Sequence, residues 1–181
     1  LLLFPLIADK NQLIRSNAIR LLETIAKKDL LVRARLQREL PPLVTNSSAK
    51  TNLQISLTAG VLEKKVAREI LTEVINRYDT SALMRDAVLS SLQNEEFNFL
   101  RELKKSSFSK NSAPGKSIFL EMLTTSIVRK GRPDELASLL AMLDQDTYGW
   151  QEKAILTAMS IQGSNRKMKP IPLKSVPKIF A

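Results

Sequence analysis

The sequence predicts an all-α chain built as a short α-solenoid of about five stacked helix pairs. Three observations predict it. Asp or Asn residues suited to opening a helix recur at Asp9, Asn46, Asp79, Asn111 and Asp144, in steps of 37, 33, 32 and 33 residues. Each is followed by a short polar stretch and then by apolar residues at three- and four-residue intervals. Only 5 Gly and 8 Pro interrupt 181 residues, so long runs lack the punctuation that a many-turned β fold requires.

The opening run Leu1-Leu2-Leu3-Phe4-Pro5-Leu6-Ile7-Ala8 is too short to span a bilayer, which takes roughly 20 apolar residues. It also lacks the basic flank of a signal peptide. It reads as the second helix of a repeat whose partner is missing, so residues 1–8 are expected to be the remnant of a preceding unit and the chain a piece of something longer. The first full unit places Leu13, Ile14, Ala18, Leu21, Leu22 and Ile25 on one helical face. Its second helix is expected over Leu30 to Leu40, and Pro41-Pro42 should end or kink it.

In the second unit Leu53, Ile55, Leu57, Val61 and Leu62 carry an alternation compatible with a strand, which the helical length of the flanking sequence argues against. A partner helix follows over Lys64 to Tyr78. The third unit reads Leu83, Met84, Ala87, Val88 and Leu92, then Glu95 to Lys105. After a Ser-, Lys- and Asn-rich stretch from Ser106 to Lys116, expected to be a loop, the fourth reads Ile118, Phe119, Met122, Leu123 and Ile127. Gly131 should close that helix, and Pro133, whose missing N–H costs nothing in a first turn, should open the next as far as Leu143. The fifth unit reads Trp150, Ala154, Ile155, Ala158 and Met159. The repeat domain thus covers residues 1–164. Residues 165–181, with three prolines and no helical period, form an extended segment or linker.

Composition narrows function. Cysteine and histidine are both absent, which removes disulfides, thiolate nucleophiles, thiolate or imidazole metal sites and imidazole acid–base schemes. No calcium-loop spacing is present either. No catalytic, cofactor-binding or metal-binding residue is therefore predicted, and no cofactor. The net charge is +10, but residues 165–181 hold five basic and no acidic residues, so much of the excess sits in the tail and the body has an ordinary solvated surface.

Asp9-Lys-Asn-Gln-Leu-Ile-Arg15-Ser-Asn-Ala18-Ile-Arg-Leu-Leu22 resembles the signature of HEAT repeats, which are close in architecture to armadillo repeats, and Asp79, Met84-Arg85, Ala87, Val88 and Leu89 repeat it. In such repeats the Asp and Arg commonly form a ladder between neighbouring units. The resemblance carries that role to Asp9, Arg15, Asp79 and Arg85 only, because the second unit has Thr51-Asn52 and the fifth Gly149-Trp150 at the matching place. Asn52-Leu-Gln54-Ile-Ser-Leu-Thr-Ala-Gly60, Met84 to Leu92 and Trp150 to Ala158 are further similar to the middle region of large bacterial multidomain proteins described as membrane-bound dehydrogenases with haem-binding C-termini. There a β-propeller precedes HEAT repeats and a c-type cytochrome domain follows. Over residues 9–165 the resemblance implies a non-catalytic segment of such a protein and an extracytoplasmic, periplasmic location, with the propeller and haem chemistry lying elsewhere.

The expected function is a non-enzymatic scaffold that binds protein partners or neighbouring domains of the same chain. The alternative is a nucleic-acid-binding HEAT-like module whose basic tail, Arg166, Lys167 and Lys169, contacts phosphates. Lys64-Lys65 and Lys104-Lys105 add to that alternative, although such pairs more often lie on solvated faces. Trp150 with Tyr148 would suit a stacking platform, yet an aromatic near the start of a repeat helix is more often core. The acidic pairs Glu95-Glu96 and Asp144/Asp146 fit helix N-termini better than acid–base chemistry. Ser90-Ser91 and Ser106-Ser107 lack an activating base.

Overall fold

In the computed structural model, residues 2–143 and 149–164 are described, and among them every regular element is helical. The helices are α1 (Gln12–Ala26), α2 (Leu30–Glu39), α3 (Ala49–Ala59), α4 (Lys64–Tyr78), α5 (Ala82–Ser91), α6 (Glu96–Lys105), α7 (Pro114–Lys130), α8 (Pro133–Leu143) and α9 (Gly149–Gly163). The strand-compatible pattern of the second unit is helical, because α3 buries Thr51, Asn52, Ile55, Ser56 and Ala59 at helical spacing.

Helix boundaries follow local chemistry. Asn11, Asp29, Ser48 and Ser81 are N-caps whose side chains accept first-turn N–H groups. The Asp and Asn residues expected to cap lie two positions earlier. Asp9 instead accepts the Asn11 N–H at 2.7 Å, forming a turn that leads into the cap. Pro41-Pro42 stop α2 at Glu39 and begin a 3-10 turn, Pro41–Asn46. Pro114 opens α7 at its first position, so the expected loop ends earlier than Lys116. Gly131 closes α7 with φ 62°, a left-handed conformation that glycine adopts without strain. The run expected as a leading α-helix is a 3-10 turn, Phe4–Ala8, with Phe4 and Ile7 buried.

The chain forms two compact units. In the first, residues 1–95, α3 packs against both α1 and α5, α1 pairs with α2, and α4 packs on α3 and α5. Ile19, Leu22, Leu36, Ile55, Leu71, Val74, Ile75 and Val88 are fully buried there. The α1 face is rotated from the expected one: Arg15, Ser16, Ala18, Ile19, Leu22 and Ala26 are buried, while Leu13 and Leu21 are 53% and 51% exposed. Ser16 of α1 meets Thr51 of α3 across this face, and Ile19 and Leu22 carry it into the core.

In the second unit, residues 96–181, α7 packs against α6, α8 and α9. Its core is aromatic. Phe99 and Phe108 meet Phe119 edge to face, with centroids 6.3 and 6.1 Å away, and the Trp150 ring lies 6.2 Å from Phe108. Trp150 is therefore part of this cluster. Leu100, Leu103, Leu123, Ile127 and Leu139 complete the packing.

Candidate functional site: a polar seam and a basic groove

The residues expected to form a ladder occupy the N-terminal ends of α1 and α5. Arg15 is 9% exposed, and its Nε and Nη2 donate to the Asp9 main-chain carbonyl at 3.2 and 2.9 Å. Its Nη1 donates to the Asn46 carbonyl at 3.1 Å and to Ser47 Oγ at 3.0 Å, on the turn that precedes α3. Arg85 repeats the first part, Nη1 donating to the Asp79 carbonyl at 2.6 Å. The Asp contribution is thus its main-chain oxygen, and the carboxylate of Asp9 is engaged with the turn. In the fourth unit Lys116 takes an analogous position, its Nζ donating to the Asn111 and Phe108 carbonyls at 3.2 and 3.1 Å. A cation near a helix N-terminus opposes the helix dipole. Charge-assisted bonds to carbonyls offset that cost.

Sequence reasoning missed the polar seam beside Arg15. Gln12 Oε1 accepts from the Ser48 N–H at 3.2 Å and from Thr51 Oγ1 at 2.8 Å, and the Ser16 and Thr51 hydroxyls lie 3.1 Å apart. One turn and more along, Glu23 Oε2 accepts from Gln54 Nε2 and Thr58 Oγ1, both at 3.1 Å. Asn52, fully buried, donates through Nδ2 to the carbonyls of Val44 and Ser47 and to Tyr78 Oη. It occupies in α3 the position, four residues after the cap, that Arg15 and Arg85 occupy in α1 and α5. Directional bonds of this kind fix the register of α1 on α3, since any slide would leave buried polar groups unpaired.

Other singled-out residues have structural partners. Arg68 bonds Glu95 at 2.7 Å, and Lys130 pairs with Glu96 in the first turn of α6. Lys64 donates to the Gln93 carbonyl at 3.4 Å, and Ser90 and Ser106 to the carbonyls of Ala87 and Leu103. Asp144, Asp146, Tyr148, Arg166, Lys167 and Lys169 lie outside the described residues. Among the described residues no cluster of acidic side chains has the arrangement of a metal site, and no helix is long and apolar enough to cross a membrane.

A second feature lies on the second unit. α6 places Phe97, Arg101, Lys104 and Lys105 along one side, and with Ser138, Ala141 and Met142 of α8 they line a groove of about 670 Å³. Lys104 Nζ donates to the Met142 carbonyl at 3.3 Å, tying the two walls together. Burial lowers the Lys104 pKa from its ordinary value, because a desolvated ammonium is disfavoured. Arg101 and Lys105 are exposed and make no ion pair among the described residues. Lys104-Lys105 stand out in the sequence. Phe97 and Arg101 do not stand out in the sequence; only their positions seven and three residues before Lys104 place them on its side of α6.

Compared with known families, curated proteins and solved structures, the chain matches none.

Proposed function

We propose that the chain is a non-catalytic helical-repeat scaffold, an α-solenoid of HEAT/armadillo-like helix pairs that holds partner proteins or neighbouring domains in fixed relation. The observation that carries this reading is the seam at α1 and α3. Arg15, Gln12 and Ser16 of one helix bond the turn and first residues of the helix one repeat later. In a stacked array each unit is stabilised chiefly by its neighbours. The recurrence of a cation on the pre-cap carbonyl, Arg15 on Asp9, Arg85 on Asp79 and Lys116 on Asn111, supports a repeated unit. The motif resemblance over residues 9–165 supports a place within a multidomain dehydrogenase and cytochrome assembly, as the segment between its working domains.

A spacer must transmit position, so its helices should open together. Native-state hydrogen exchange tests this. The slowest amides of α1, α3 and α5 are expected to share one opening free energy. Opening of α1 at a free energy several-fold below that of α5 would contradict a rigid spacer.

The net charge of +10 favours a second reading, a nucleic-acid-binding module using Arg166, Lys167 and Lys169. It predicts affinity for single- or double-stranded DNA that falls linearly with salt on logarithmic axes, and its loss when those three residues become glutamate. Flat binding curves at low salt contradict it.

A further inference from the structure

We propose that the groove between α6 and α8 is a docking site for an acidic, amphipathic peptide segment of a partner protein. This goes beyond the scaffold reading, and it stands on the second unit alone.

The argument starts from the pattern of α6. Phe97, Arg101, Lys104 and Lys105 fall four, seven and eight residues apart, so a single helical side carries one ring and three cations. Opposite, α8 supplies Ser138, Ala141 and Met142. None of the described lining residues is acidic, and among the described residues neither Arg101 nor Lys105 has an ion-pair partner. Two other cations of the second unit do meet carboxylates: Lys130 pairs with Glu96, and Arg132 with Glu135 at 2.9 Å. Arg101 and Lys105 are left facing solvent beside hydrocarbon.

The chemistry of the walls selects the occupant. Half-buried Phe97, one turn before Arg101, and Met142 offer apolar surface beside the cations. A thioether chain adapts to varied shapes. A ligand that matches must place carboxylates against Arg101 and Lys105 and an apolar side chain beside them. An acidic peptide with apolar residues at alternate or helical spacing does this. A nucleic-acid backbone does not, because it would satisfy the cations and leave the half-buried Phe97 ring without a stacked base, which needs an open ring face. Lys104 differs from its two neighbours in being held on the Met142 carbonyl, where α6 meets α8. The groove is open to solvent, and its volume, about 670 Å³, accommodates a few side chains of a segment that passes over it.

The test uses the full chain and fluorescence anisotropy with three labelled probes: a short peptide of alternating glutamate and leucine pairs, the same peptide with glutamine for glutamate, and a single-stranded oligonucleotide of similar charge. The glutamate peptide is expected to bind, and the glutamine peptide at least about tenfold more weakly. Arg101→Glu and Lys105→Glu should each weaken the glutamate peptide about fivefold or more, with far-UV circular dichroism unchanged because both sites are exposed. Lys153→Glu, on the exposed side of α9, should leave binding as it is. Equal binding of the two peptides overturns the proposal, as does indifference to both α6 reversals. Tighter binding of the oligonucleotide, lost in the same variants, overturns it in favour of a nucleic-acid groove.

Discussion

Replacing Arg15 with methionine removes a guanidinium and retains most of its hydrocarbon length. The structure gives the size of the effect. Arg15 serves three acceptors, the Asp9 carbonyl within its own unit and the Asn46 carbonyl and Ser47 hydroxyl on the turn before α3. A hydrogen bond from a charged donor contributes about 1.5–3 kcal/mol when its partner stays dry. Water can reach Asn46, which is exposed, so part of that is recovered after the substitution. The net expectation is about 3 kcal/mol of lost stability, roughly 6–12 °C in Tm for a chain of this size. Urea unfolding followed by far-UV circular dichroism measures it. A cycle with Ser47→Ala then isolates the bond between successive helix pairs, with an expected coupling of about 1 kcal/mol. A loss below about 1 kcal/mol for Arg15→Met, or no coupling to Ser47, would refute the idea that this side chain joins one repeat to the next.

Asn52→Ala should cost about 2 kcal/mol, because its amide satisfies the buried Val44 carbonyl and the part-buried Ser47 carbonyl, whereas Tyr78→Phe should cost about 1 kcal/mol; equilibrium unfolding of each variant checks both. Phe119→Ala empties the centre of the aromatic cluster formed with Phe99 and Phe108 and should cost about 3–5 kcal/mol by thermal unfolding. Lys104 carries a pKa lowered in the folded chain, so the unfolded chain binds more protons between that value and the ordinary lysine range near ~10.4. Its contribution to stability should therefore rise as pH climbs through this window. The check is urea unfolding of the unaltered chain against Lys104→Met across alkaline pH, where the difference should move toward the unaltered chain; a difference independent of pH would contradict burial of the ammonium.

Much of the fold is legible where proline, glycine and the helical period agree. α4 and α8 span the expected residues, and Gly131 and Pro133 mark the turn between α7 and α8. The caps lie two residues later than expected: Asp9 engages the turn before α1, while Asn11, Ser48 and Ser81 do the capping. The buried face of α1 was misread for a related reason. An apolar template selects Leu13, Ile14, Ala18, Leu21, Leu22 and Ile25; Ala18 and Leu22 are buried as expected, but Leu13, Ile14 and Leu21 are exposed, and Arg15 and Ser16 are buried because polar partners wait across the seam. Those partners, Ser47 and Thr51, lie more than thirty residues away, and no local pattern reveals them. The groove was partly visible as Lys104-Lys105. Its other wall required knowing that α8 lies beside α6.

The absence of cysteine from the chain makes one measurement direct. Spin labels at cysteines replacing Arg20, Leu57 and Ser90, exposed positions nine residues after the caps of α1, α3 and α5, report three distances by pulsed electron resonance. Helices packed side by side lie about 8–10 Å apart. Stacked repeats predict that the separation of positions 20 and 90 approaches the sum of the two neighbour separations; three similar distances would mean a closed bundle and would contradict the scaffold.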